Sequence, residues 1–431
     1  MSNEMIGLLG IVLLFVLILI KIPIGFSMII VGALGYAVLM SPAAALAKLG
    51  ADLFNNAHSY SLSVIPMFTL MGMFIGQSGL GRDLFRAFNA WLGHIRGGLS
   101  IATVVTCAAF AAVSGSVIAT TATIATVAVP EMRAMKYKDS LIAGCVASGS
   151  TLGILIPPSS VLIIYGVLTE ESIGQLLIAG ILPGLMTAFL LALTAYIMVR
   201  INPSLAPGVV KSTFSDRMNS LKLVWPIPMI FIITMGGIYR GVFTPTEGGA
   251  IGAFMSLIFC LVGRRIKWQG FTASLTETAK VVAMLMIMLV GGVMFGNFLS
   301  ISRIPLFLTR HMSDLPPLIL MTTIFLCYFV AGFFMDAMAI LVIFTGLFYP
   351  MVLAAGYNGI WYGVVTILMI LIGFLTPPVG VVSVITASIS KIKLETVFKG
   401  VIPFWIALIV STFIIILFPG IATYLPNLMM R

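Results

Sequence analysis

The residues best placed to do chemistry in this sequence are small hydroxyls and glycines set inside apolar runs. Ser148-Gly149-Ser150-Thr151 leads into Leu152-Gly153-Ile154-Leu155-Ile156-Pro157-Pro158, and Gly373-Phe374-Leu375-Thr376-Pro377-Pro378 repeats the device 220 positions later. Two more interruptions, Ser114-Gly115-Ser116 and Gly332 to Asp336, divide long apolar blocks. A proline inside a helix costs about 3 kcal/mol, and in lipid the freed carbonyls have no water to bond, so such breaks persist where something polar occupies them. Hydroxyl and backbone oxygens are the hard ligands that a small monovalent cation takes, and Ser114, Gly115, Ser116, Ser150, Thr151, Gly332, Gly373 and Thr376 supply them. Asp336 adds a carboxylate that costs about 2.5 to 3.5 kcal/mol at a helix centre and so needs a partner, which a sodium ion would be. The competing account of any single hydroxyl is a bond back to its own helix carbonyl.

Enzyme chemistry has little to work with. His58, His94 and His311 lie in three separate segments, and neither a His-Glu-x-x-His nor a Gly-x-x-x-x-Gly-Lys motif occurs, so zinc hydrolysis and direct ATP use have no support. Cys107, Cys145, Cys260 and Cys327 are scattered through apolar segments without metal-type spacing and read as buried thiols. No cofactor is expected. Glu131 and Glu247 abut apolar runs, where acids commonly cap helices.

The elements that must position these groups are membrane helices. Hydrophobic residues make up 60% of the 431, charged residues 8%, and the mean hydropathy is +1.18, which no soluble domain of this size carries. Apolar runs have helical length, so the predicted fold is an all-α polytopic bundle in a lipid bilayer rather than a barrel of short alternating strands. The net charge of +10 lies in short loops and reports topology, not nucleic acid. The first apolar run lacks a basic flank and a cleavage site, so it is read as a retained span.

Positive-inside reasoning then orients the chain. Arg82, Arg86, His94 and Arg96 sit on an amphipathic stretch that reads as a helix along the cytoplasmic surface. Leu99 to Met132 lies between this cluster and Arg133, Lys136 and Lys138, which predicts a re-entrant hairpin with Ser114-Gly115-Ser116 at its tip. Pro316 to Met351 is expected to form a second hairpin entering from outside. The expected total is about ten spans and two hairpins, with both termini outside. The predicted division is scaffold at 1–97, transport part at 98–200 with a broken helix at 141–168, a cytoplasmic linker at 201–222, scaffold at 223–315, and transport part at 316–431 with a broken helix at 361–390. At the same 220-residue offset Gly153 falls on Gly373, Pro183 on Pro403, Pro130 on Pro350, Gly72 on Gly292, Gly76 on Gly296 and Gly32 on Gly252. Opposite orientation of the halves makes this an inverted-topology repeat, the architecture of secondary transporters. Arg303 and Arg310 depart from the positive-inside pattern, and Arg303 is the nearest cation for an anionic substrate.

With these residues in view, the chain resembles the large membrane subunit of a tripartite ATP-independent periplasmic (TRAP) transporter. The likeness runs over Val113 to Ser116, Val129-Pro130-Glu131-Met132, Gly153 to Ser159, Phe243-Thr244-Pro245-Thr246-Glu247, Gly332 to Asp336 and Thr376-Pro377-Pro378-Val379-Gly380. It implies sodium-coupled uptake of an organic acid across a bacterial inner membrane by an elevator-like movement. Pro157, Pro158, Pro377, Pro378 and Arg303 would then border the substrate. The resemblance also implies two partners expected as separate polypeptides, a periplasmic substrate-binding protein and a small four-helix membrane subunit. Overall likeness favours sialic acid over a C4-dicarboxylate. Two alternatives remain at this point: a stand-alone sodium/dicarboxylate carrier of related fold, and a non-transporting scaffold.

Overall fold

The computed structural model describes residues 2–209, 212–312, 316–332, 335, 337–377 and 380–429. All their regular structure is helical. In the first half the helices are α1 (Asn3–Leu19), α2 (Ile24–Leu39), α3 (Pro42–His58), α4 (Val64–Gln77), α5 (Leu80–Leu92), α6 (Gly98–Ser114), α7 (Val117–Ala134), α8 (Asp139–Thr151), α9 (Ser160–Thr169), α10 (Ile173–Ala179) and α11 (Ile181–Ile201). The second half supplies α12 (Phe214–Val224), α13 (Pro226–Tyr239), α14 (Pro245–Val262), α15 (Trp268–Ile301), α16 (Ile304–Met312), α17 (Pro317–Ala331), α18 (Ala337–Ala354), α19 (Gly359–Leu375), α20 (Val381–Ser390), α21 (Leu394–Leu417) and α22 (Gly420–Met429).

Among the described residues, six helical stretches are long and apolar enough to span a membrane, or seven if α12 and α13, which meet at 46°, form one bent span. Other expected spans, such as α1, α2 and α19, have 16 or 17 residues. At 1.5 Å per residue these reach about 25 Å, short of a core of about 30 Å, so length alone does not complete the expected ten. α18, expected as one arm of a hairpin, is itself among the six.

Local chemistry sets several boundaries. Ser41 starts α3 by accepting from the Ala44 amide at 3.1 Å, and Thr244 and Glu247 form a reciprocal capping box over Pro245 at the head of α14. Glu247 is therefore a helix cap. The stretch read as a linker at 201–222 contains most of α12, opened by a second capping box between Thr213 and Asp216. That helix is held to α5, where Trp91 Nε1 donates to the Arg217 carbonyl at 3.2 Å and the Arg217 guanidinium lies 6.0 Å from the Trp91 ring. The amphipathic α5 is thus sandwiched: Leu80, Leu84 and Phe85 are buried, and it packs on α6, α7 and α12.

The two halves pack reciprocally. α2 lies along α15 while its counterpart α14 lies along α4, and α9 packs on α18 while its counterpart α20 packs on α7. Exchange of this kind is what a pseudo-two-fold relation between repeats produces. One difference between the halves is that α15 runs unbroken for 34 residues, whereas the equivalent stretch is divided into α3 and α4 by extended backbone at Ser59. α3 is fastened to α15 by Asp52, which is 3% exposed, pairs with Lys48 at 2.9 Å and accepts from Asn297 at 3.0 Å.

Candidate functional site

The first interruption is a helix–turn–helix. α6 ends at Ser114, Gly115 takes the left-handed conformation (φ +59°), and Ser116 caps α7 by accepting from the Ala119 amide at 3.3 Å. Only glycine fits here, because a Cβ on Gly115 would strike the Pro158 carbonyl oxygen as well as strain the backbone. Thr120, one turn into α7, donates to the Ser116 carbonyl at 2.7 Å and shares a hydrogen bond with Ser114 Oγ at 2.9 Å.

The opposing break begins where α8 gives way to a 3₁₀ turn at Leu152–Ile154 and ends where Ser159 caps α9. The Pro157-Pro158 peptide between them is cis. Ser159 Oγ donates to the Ile154 carbonyl at 2.6 Å, and Ser160 Oγ donates across to the Gly115 carbonyl at 3.4 Å. The tip therefore touches the break of its own half. Carbonyl ends of α6 and α8 and amide ends of α7 and α9 converge, and such ends favour cations and anions respectively.

The second half repeats the contact. Gly332 at the end of α17 lies against Gly373 near the end of α19, so closely that a Cβ on Gly332 would come within 2.7 Å of the Gly373 Cα. Thr376 caps α19, donating to the Ile372 carbonyl at 2.7 Å and accepting from Trp405 Nε1 at 2.8 Å. Pro377 is exposed beside it, whereas Asp336 and Pro378 lie outside the described residues.

The candidate residues do not all point the same way. Ser150 donates to the Val146 carbonyl at 2.6 Å and faces Cys107, and Thr151 donates to the Ser148 carbonyl at 2.7 Å, so both hydroxyls are bonded into their own helix. Ser148 is the contrast: its Oγ is enclosed and has no hydrogen-bond partner among the described residues, a state a bound cation or water would relieve. Arg303 is exposed in the left-handed turn after α15 (φ +61°), on the side of Glu4 in the first turn of α1. The adjoining Ser302 and Ile304 lie against Gly7 of α1, so the structure puts Arg303 beside the N-terminal helix and not with the tips.

Sequence reasoning missed Thr120, Ser159, Ser160 and Trp405. It also missed a tyrosine network joining the halves, in which Tyr165 donates to the Gly359 carbonyl at 2.7 Å, Tyr349 to Glu171 at 2.7 Å and Tyr362 to Tyr328 at 3.2 Å. The one available signal was polarity at a fixed helical distance from a break, as at Thr120.

An all-helical membrane chain with helix ends converging at broken segments has the architecture found in multi-pass transporter permeases. Its fold is similar to that of the Alcanivorax borkumensis YdaH transporter, with a TM-score of 0.60 over 89% of each chain at 14% identity. Residues 11–421 match the family profile described as the tripartite ATP-independent periplasmic transporter, DctM component. The chain is also 34% identical to the C4-dicarboxylate TRAP transporter large permease protein DctM of Pseudomonas aeruginosa, over 88% of this chain and 89% of that one. With the sialic acid TRAP transporter large permease protein SiaM of Vibrio cholerae it shares 29% identity, over 94% and 95%. The chain belongs to the DctM family, the large membrane subunits of TRAP transporters.

Proposed function

We propose that this chain carries a small organic acid inward with sodium, the acid being delivered by a separate periplasmic binding protein and the permease completed by a small four-helix membrane subunit. The observation that carries the proposal is the pairing of each tip with the break of its own half, Gly115 with Pro158 and Ser160, and Gly332 with Gly373. Each pairing offers carbonyls and hydroxyls to a cation and amide ends to a carboxylate. Two sodium ions and a monoanion would carry net positive charge inward, to which the membrane potential contributes about 2.3 kcal/mol per charge per 100 mV. The transport parts at 98–200 and 316–431, with the hairpins and the broken helices, form the moving body, the scaffold parts at 1–97 and 223–315 the frame, and the basic clusters lie at the cytoplasmic face, with both termini outside. Likeness to permeases named for C4-dicarboxylate and for sialic acid supports an organic acid as the substrate without favouring sialic acid.

The test is uptake into proteoliposomes against sodium concentration, with both partners supplied. Ser116→Ala and Thr376→Ala should each raise the sodium concentration needed for half-maximal uptake, and Asp336→Ala should reduce uptake more severely. An unchanged sodium response in all three places the ions elsewhere. Uptake by the chain alone, without partners, would instead favour a stand-alone carrier.

A further inference from the structure

A cavity of about 550 Å³ lies between the α4–α5 junction and α7. Its walls carry Arg82, Arg86 and Arg265 against a single carboxylate, Asp83, and α7 contributes Thr123 and Thr126. Asp83 is already bonded to Arg265, whose guanidinium also sits 5.3 Å from the Phe259 ring. Arg82 and Arg86, one turn apart on α5, form no salt bridge among the described residues. Here two unpaired guanidinium groups line a concave space shared with a hairpin arm, an arrangement that focuses positive potential and concentrates small anions. The space also has a telling position: Thr123 and Thr126 stand about 10 to 15 Å along α7 from Ser116, towards the end bearing Arg133.

We infer that this cavity is an exit vestibule for the transported acid, with Arg82 and Arg86 holding its carboxylate between the first tip and the cytoplasm. The inference rests on the proposed import of an organic acid and adds where that acid goes next. Planar guanidinium forks suit carboxylate geometry, and two on one helix face can hand the group along without a deep well. A phosphate headgroup shares this chemistry, so lipid composition is varied in the test.

Thr126→Cys is introduced into the full chain, assembled with its partners, and labelled in vesicles of each orientation with sulfonate-bearing and trimethylammonium-bearing methanethiosulfonates. The sulfonate should react from the cytoplasmic side at least about tenfold faster than the cation, and succinate, or N-acetylneuraminate, should slow it. Arg82→Gln with Arg86→Gln should abolish the preference, and Arg82→Lys with Arg86→Lys should retain it, which separates lost charge from lost fold. Equal rates for the two reagents, or a preference that survives the glutamine pair, overturns the inference. So does a preference that neither acid competes with, or one seen only in vesicles lacking phosphatidylglycerol, which would make the headgroup the occupant. Labelling requires no turnover: if the unaltered assembly takes up no acid, the proposed function fails while the labelling rates still decide for or against the vestibule.

Discussion

At the residue scale, the hydroxyl of Thr120 holds the first tip in shape. It ties Ser114 Oγ to the Ser116 carbonyl, so replacing it leaves two polar groups short of a partner in a buried turn. Thr120→Val keeps the volume and removes both bonds, at a cost of about 1 to 2 kcal/mol. The expected outcome is a higher sodium requirement for uptake with normal membrane insertion; an unchanged sodium curve would make Thr120 a packing residue only. Arg303 carries the opposite expectation. Exposed and turned towards α1, it should tolerate Arg303→Lys with uptake rates within about twofold of the parent, the size of change expected for a surface position away from the tips. A tenfold loss would return it to the substrate path.

At the element scale, the joints decide the behaviour. Asp52 fastens α3 to α15 from a nearly sealed position, and removing it strands the Asn297 amide and the Lys48 ammonium. Asp52→Ala should lower stability in detergent by about 1.5 to 3 kcal/mol, the range for a hydrogen bond to a charged group. A thermal midpoint equal to the parent's would show that the joint is held by apolar packing alone. Such joints also mark where the sequence stops being informative. The tips and breaks were legible because proline, glycine and hydroxyls have no ordinary place in an apolar helix, and the pairing of tip with break followed from the repeat. α12 was not legible, because its capping box sits in a polar stretch that resembles a loop until α5 supplies a surface. Arg303 misled for a similar reason: charge placement in sequence shows that a residue departs from a pattern, whereas only packing shows which helix it faces. Ser150 and Thr151 were chosen for chemistry correctly attributed to their type, but the direction of a hydroxyl around a helix is set by the nearest carbonyl.

At the scale of the whole molecule, the proposed frame and moving body meet where α5 packs on α7. A side chain at Gly81 would press on the Thr123 methyl, so Gly81→Cys with Thr123→Cys is placed to form a disulfide across that boundary. Oxidation should stop uptake by the assembled permease, and reduction should restore it. Continued transport at the full rate with the bridge demonstrably formed would mean that α5 and α7 travel together, and the division into frame and moving body would have to be redrawn.

The interruption at Ser59, present in one half and replaced by a continuous α15 in the other, bears on which face the carrier rests towards. Two identical halves could trade conformations and produce end states of equal energy. Unequal halves need not: the proposed frame offers a jointed wall on one side, at Ser59, and a continuous rod on the other, so the two end states would rest against different surfaces. A difference of about 1.4 kcal/mol is enough for a tenfold imbalance in occupancy. In the proposed elevator such an imbalance would weight the permease towards one side, and a partner docking on the opposite side would have that bias to overcome before any cargo moved.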